Sequence, residues 1–248
     1  MTEPPFSPDD PAVRFGEALF ETMRSEDGRV VSLSRHLERL LRSAQILGWS
    51  GVPGEAQLRA ALRSALDEAA QRSLRIRLSA SAGGRIAVET SRIPDAPAPE
   101  AVSIIGAWHR RRAIAEHKTT SYAANRLAHA HAVSLGAGHA LLLDSRGHLG
   151  ETAFANVICA LDDVAVTPPA RGLLPGVARQ IALEAGVVAE RELPPEAWGR
   201  ASEIVAINAL RGPMPIHRVD GRAVGESAPE ELTALVSDLL VQEQAEAP

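Results

Sequence analysis

His117-Lys118-Thr119-Thr120-Ser121-Tyr122 is the stretch from which the rest of the chain is read, because Lys118 is the only lysine among 248 residues. Positive charge is otherwise carried by arginine, which stays protonated and cannot serve as a nucleophile or a base. A lysine kept where arginine is the habit suggests a job that needs a neutral amine. Thirty-three residues later comes Gly150-Glu151-Thr152-Ala153-Phe154-Ala155-Asn156, with an acid at the mouth of a predicted strand. Then Leu173-Leu174-Pro175-Gly176-Val177-Ala178-Arg179 sets Pro-Gly just before a helical pattern. The exposed amides and dipole of such a helix start suit an anion.

Around these segments the patterning mixes strands and helices. Asp27-Gly28 is a turn between two short apolar runs and predicts a hairpin. Ser34 is a helix N-cap candidate, followed by Leu37, Leu40, Leu41, Ala44 and Leu47 at helical spacing and stopped by Gly48. A second amphipathic helix is expected over 55–70. Leu74-Arg75-Ile76-Arg77-Leu78 alternates strictly, as a half-buried strand does. Pro94 to Pro99 is the clearest breaker cluster and places a domain junction near 95–115, giving a small α/β domain over 1–107 and a larger one over 108–248. Strands are expected over 140–144, 154–160, 164–167 and 203–207, and helices over 122–135, 177–185 and 228–243. Residues 1–11 read as a loose arm and the tail after Gln242 as frayed. The fold class is α/β, with segregated α+β parts.

Composition narrows the function. Apolar residues make up 45% and charged residues 23%, and the formal net charge is −5. That balance offers no basic surplus for nucleic acid or an anionic membrane. No apolar run approaches the ~20 residues that span a bilayer, and the N-terminus lacks the features of a signal peptide. A cytoplasmic location is the default expectation. The single cysteine, Cys159, lies in an apolar run and reads as a small buried hydrophobe. No metal-ligand pattern appears.

An amine, an acid and a helix-start anion cup are three parts that a pyridoxal 5'-phosphate site needs. Lys118 would form the Schiff base and later shuttle a proton. The Glu151 carboxylate would keep the pyridine nitrogen protonated. The exposed amides at that helix start would receive the phosphate. Taken singly, each has a plainer reading. Arg39 is a phosphate candidate but reads on position alone as an exposed helix arginine. His36 reads as a helix-start residue, and Asn156 either ties a loop or is a turn residue.

His36-Leu37-Glu38-Arg39-Leu40, the Lys118 segment, Glu151 through Asn156, Thr167-Pro168-Pro169 and Leu174-Pro175-Gly176 together resemble the class IV, fold type IV pyridoxal-phosphate enzymes. These include branched-chain and D-amino-acid aminotransferases and 4-amino-4-deoxychorismate lyases. The resemblance covers about residues 14–225, in order. It implies a two-domain D-amino-acid aminotransferase-like fold with the cofactor at the junction, and a homodimer acting on a small-molecule amine. It assigns Lys118 to catalysis and cofactor binding. Glu151, Arg39, Val177, Ala178, Asn156, Tyr122 and Ala209 fall at cofactor positions. Two departures stand out: Ala178 and Ala209 occupy places where relatives often carry hydroxyls.

Asn208-Ala209-Leu210-Arg211-Gly212-Pro213-Met214-Pro215-Ile216 is similar to the lyases rather than the transaminases. Thr22 falls where the lyases carry an active-site threonine. The resemblance therefore implies a lyase giving 4-aminobenzoate and pyruvate, with an aminotransferase using the same Lys118 as the alternative. A scaffold that binds the cofactor without turnover is a third reading. Arg75, Arg77, Arg110 and Arg211 are candidates for the substrate carboxylates.

Overall fold

The computed structural model describes residues 5–67, 73–105, 112–225 and 231–248. They form two compact units. The first holds residues 1–94, 117–122 and 243–248, and the second holds 95–116 and 123–242. The expected boundary between 107 and 108 lies outside the described residues.

The first unit opens with a single helical turn, α1 (Pro11–Arg14), capped by Asp10, whose Oδ1 accepts from Ala12 N at 2.8 Å. Asp10 is buried and its Oδ2 accepts from Ser81 Oγ at 3.0 Å. The expected loose arm is therefore pinned at its end to the sheet. β1 (Ala18–Glu26) turns through Asp27 and Gly28, both at positive φ, into β2 (Arg29–Val31). α2 (Leu33–Leu47) and α3 (Glu55–Asp67) follow, then β3 (Ser73–Ser81) and β4 (Ile86–Ser91). The sheet runs β2-β1-β3-β4, with the two-residue strand Ala245–Glu246 added outside β2. The apolar face of the helices, from Leu33 through Leu37 and Leu40 to Leu58 and Leu62, packs on Leu19, Met23, Ile76 and Leu78.

Two local expectations are corrected. Ser34 does not cap α2: the cap position is Ser32, in the left-handed region with φ 52°, and Ser34 lies inside the first turn. Its amide instead donates to Glu246 Oε1 at 3.1 Å. The C-terminal tail is not frayed either. Ser32 Oγ donates to Glu243 Oε2 at 3.0 Å, and Ala245 and Glu246 pair with Val31 and Val30. The tail covers the free edge of β2, as edge strands require.

The second unit carries β5 (Glu100–Ile105), α4 (Arg112–Ala115), α5 (Ala123–Ser134), β6 (His139–Leu143), β7 (Leu149–Thr152), β8 (Asn156–Leu161) and β9 (Val164–Thr167). There follow α6 (Val177–Glu184), β10 (Ala189–Glu190), α7 (Pro195–Trp198), β11 (Glu203–Asn208), β12 (Gly212–Ile216), β13 (Arg218–Val219), β14 (Arg222–Ala223) and α8 (Glu231–Val241). The main path of its sheet is β10-β9-β8-β7-β6-β5-β13-β14, with β11 pairing both β8 and β12. β5 and β6 are parallel, whereas β6 to β9 are antiparallel. One face of this sheet packs Leu141, Val157, Ile204 and Ile216 together, and the other packs Ile158 and Val205 against α6 and α8. Cys159 is wholly buried and its thiol is pushed up to about 12 by burial, so it is a core residue rather than a nucleophile.

Candidate active site

In the first unit, β1 sorts its side chains by period two. Leu19, Glu21 and Met23 are buried, the two apolar ones in the core beneath the helices. Phe20, Thr22 and Arg24 take the other face, directly opposite Ser79, Arg77 and Arg75 of β3. Directly opposed residues in an antiparallel pair share a face. Thr22, Arg75 and Arg77 are thus neighbours on one surface.

The Lys118 segment extends this surface. Phe20 N donates to Lys118 O and Thr120 N donates to Ala18 O, both at 2.8 Å, and Leu19 pairs with Thr119 as an antiparallel bridge. This short ladder occupies the part of the β1 edge that β2 leaves open. It explains how residues 117–122 join the first unit although their neighbours on both sides belong to the second. Lys118 Nζ lies 4.5 Å from the Phe20 ring centroid and 5.6 Å from that of Tyr122. The Arg77 guanidinium carbon lies 3.8 Å from the centroid of the same Phe20 ring, and the Phe20 and Tyr122 rings meet edge-on at 5.2 Å. The lysine ammonium is held near the Phe20 and Tyr122 rings, and Phe20 also carries Arg77.

Glu21, whose type and place the sequence did not single out, organises the helix side. Its Oε1 accepts from Arg39 Nε at 2.9 Å, its Oε2 accepts from a terminal Arg39 nitrogen, and Oε2 lies 2.8 Å from His36 Nδ1. The side chains of Glu21, His36 and Arg39 are 1%, 1% and 7% exposed. Burial would raise the Glu21 pKa, but Arg39 and His36 outweigh it and hold the carboxyl down at about 2. Burial lowers the His36 pKa, opposed by Glu21 and assisted by Arg39 and Lys118. Arg39 is therefore not the exposed helix arginine that its position alone suggests, whereas His36 lies in the first turn of α2 as expected and is also a buried member of this network. The missed signal was an acid in phase with Leu19 and Met23 on a core-facing strand.

In the second unit, Glu151 is buried within β7, a strand not expected from sequence. It sits opposite Asn156 across the tight β7–β8 connection. Leu174 N donates to Glu151 Oε2 at 3.4 Å, and Asn156 Nδ2 donates to Leu174 O at 2.9 Å. Asn156 therefore ties the loop. A Cβ at Gly176 would lie 2.0 Å from Asn156 Oδ1, so any side chain there would have to displace the Asn156 amide. Gly176 is the N-cap of α6 and no side chain caps the helix. The first-turn amides, those of Val177 and Ala178 among them, lack the upstream carbonyls that a helix interior supplies. Arg179 anchors this helix start by donating to Pro168 O at 2.7 Å and pairing with Glu190.

Ala209 lies in the β11–β12 turn, which Asn208 closes by accepting from Leu210 N at 3.1 Å and Arg211 N at 3.0 Å. Gly212 completes the turn at φ 71°. Arg211 donates to Asp95 O at 3.0 Å and lines a small pocket with His129, His139 and Thr152. Arg110 lies outside the described residues.

Each unit by itself carries chemistry that part of a phosphate-bearing pyridine could use: the second has a buried carboxylate bonded beside an uncapped helix start, and the first has an aromatic-bedded amine and a buried guanidinium. The family model for amino-transferase class IV matches residues 18–219. The chain is 25% identical to a Bacillus licheniformis protein named D-alanine aminotransferase, over 94% of this chain and 89% of that one. It is 24% identical to "Branched-chain-amino-acid aminotransferase-like protein 1" of Arabidopsis thaliana over 88% of its length, and it spans only 44% of that relative. In backbone it is similar to a Legionella pneumophila structure named "Putative 4-amino-4-deoxychorismate lyase", with a TM-score of 0.84, 22% identity, and 98% and 96% of the two chains covered.

Proposed function

The chain belongs to the class IV amino-transferase family, and we propose that it is a pyridoxal 5'-phosphate enzyme that cleaves 4-amino-4-deoxychorismate to 4-aminobenzoate and pyruvate. The observation that carries the lyase reading is the surface on which Lys118 sits: Thr22 lies opposite Arg77, and both Arg77 and Lys118 stack on Phe20. A hydroxyl and a guanidinium beside the amine suit a substrate carrying carboxylates and a ring. The Asn208-closed turn over Ala209 and Leu210 adds the second lyase-like feature.

Under this proposal Lys118 binds the cofactor aldehyde, Glu151 faces the pyridine nitrogen, and Arg39 with the Val177 and Ala178 amides receives the phosphate. Asn156 acts by shaping the loop that presents those amides, and Tyr122 by bedding Lys118. When bound, the cofactor supplies an electron sink for charge left beside the substrate amine. The Glu151 carboxylate holds the proton on the pyridine nitrogen. Neutral Lys118 Nζ takes the proton from the amine-bearing ring carbon, a general-base role that needs an unprotonated amine. Arg77 and Arg75 orient the substrate carboxylates, with Thr22 fixing the ring between them. Aromatisation of the remaining ring drives loss of the enolpyruvyl group.

An aminotransferase reading is favoured by the names of the curated relatives, which are aminotransferases. It uses the same Lys118, Glu151 and Arg39. We further propose a homodimer, for which exposed Leu127, Val133 and Leu135 in and just after α5 offer apolar surface. Incubation with pyridoxal phosphate and 4-amino-4-deoxychorismate decides between the readings. Equimolar 4-aminobenzoate and pyruvate supports the lyase; keto acid from an amino-acid panel, without 4-aminobenzoate, supports the aminotransferase.

A further inference from the structure

Glu21 holds two partners, and one of them has an unfilled bond. His36 Nδ1 meets the Glu21 carboxylate at 2.8 Å, and a carboxylate only accepts, so the ring proton is on Nδ1. Nε2, on the far side of the ring, is buried and has no hydrogen-bond partner among the described residues. A buried ring nitrogen left in this way is expensive, and such groups are rare without a reason. His36 and Arg39 are one turn apart on α2 and are anchored on the same carboxylate.

The charged groups that act on His36 are Glu21 from β1, Arg39 from its own helix and Lys118 from the segment laid along β1. The carboxylate favours the imidazolium, and burial with the two cations opposes it. In the absence of an anion, burial and the two cations therefore push the ring toward its neutral form. A dianion bound beside Arg39 reverses that balance, because it offers Nε2 an acceptor and offsets the two cations.

We propose that His36 is a second side-chain ligand of the cofactor phosphate, donating Nε2–H to it as an imidazolium, so that anion binding and protonation of His36 are one event. The proposal rests on the reading that Arg39 receives the phosphate. It gives the phosphate a side-chain donor in a chain where positions 178 and 209 are alanine and have no hydroxyl to offer. Glu21 then has a defined role as the positioning residue that aims both ligands.

The test uses the full chain stripped of cofactor. Sulfate carries no proton of its own at about pH 8, so calorimetric titration in buffers of different ionisation heat counts protons taken up by the protein. The expected result is an uptake approaching one proton per sulfate, with affinity falling about tenfold per pH unit. In His36→Gln the uptake and the pH slope should vanish. The same variant should bind pyridoxal 5'-phosphate about 10- to 100-fold more weakly while binding pyridoxal, which lacks the phosphate, as wild type does. Zero uptake by the wild type, or equal weakening for both aldehydes, overturns the proposal. The wild-type arm decides the matter even if the variant fails to fold. Failure of the underlying reading looks different: neither aldehyde would give an absorbance band that Lys118→Ala abolishes.

Discussion

A carboxylate as deeply buried as that of Glu21 stays ionised only because Arg39 grips both of its oxygens and His36 adds a third bond. Removing one member of a buried charge pair leaves the other uncompensated, at a cost of about 3–5 kcal/mol. Glu21→Gln keeps the shape and removes the charge. It is expected to lower unfolding stability by roughly 3 kcal/mol in urea titrations and to weaken cofactor binding through a misplaced Arg39. Its pKa, depressed from 4.5 to about 2, means that its contribution is present above pH 4.5 and is lost as pH falls through about 2. The variant should therefore lose the wild type's stability drop in that window. Arg39 was singled out only through the resemblance carried by His36-Leu37-Glu38-Arg39-Leu40, because its position on the helix says nothing of the buried acid it meets. Glu21 was not, since its partners come from a helix 15 to 18 residues away and only the fold brings them to its strand.

At the level of elements, the turn that opens α6 shows how a loop is held by what it excludes. Gly176 has an ordinary φ of −68°, so its need for glycine is purely steric: Asn156 Oδ1 occupies the place of a Cβ. Gly176→Ala should push Asn156 off Leu174 O, costing about 1–3 kcal/mol of stability and a comparable share of cofactor affinity. In an Asn156→Ser background the added methyl meets no amide, so the glycine substitution should cost less there; a double-mutant cycle by urea unfolding measures the difference. Equal costs in both backgrounds would remove the contact from the explanation. The α6 start was readable from Pro175-Gly176 because capping chemistry is local. The terminal strand was not, because Ala245 and Glu246 gain order only from an edge more than 200 residues away. Deleting 243–248 removes the Ser32–Glu243 and Ser34–Glu246 bonds and bares β2. It should destabilise the first unit by about 1–3 kcal/mol and increase aggregation, measurable by thermal unfolding and light scattering.

Across the whole molecule, stability should fall on acidification through buried histidine as well as through Glu21. His139 is 5% exposed and burial, with His129 and Arg211, pushes its pKa from 6.5 down to about 4. A depressed folded-state pKa contributes stability above pH 6.5 that is lost as pH falls towards about 4. This sets an order-of-magnitude loss of about 3 kcal/mol, seen as a falling urea midpoint and reduced in His139→Gln. Strand and helix patterning made the α/β class and most elements legible, since periodicity is written in each segment. The return of 117–122 to the first unit was not legible, because it depends on backbone pairing with β1 about 100 residues earlier. That return places the only lysine at the Phe20 ring, on which Arg77 also stacks. The most direct test of the account is therefore turnover of 4-amino-4-deoxychorismate by the cofactor-loaded chain and by Lys118→Ala. Equimolar 4-aminobenzoate and pyruvate from the wild type, and neither from the variant, is the predicted result; product formation that survives loss of Lys118 would contradict it.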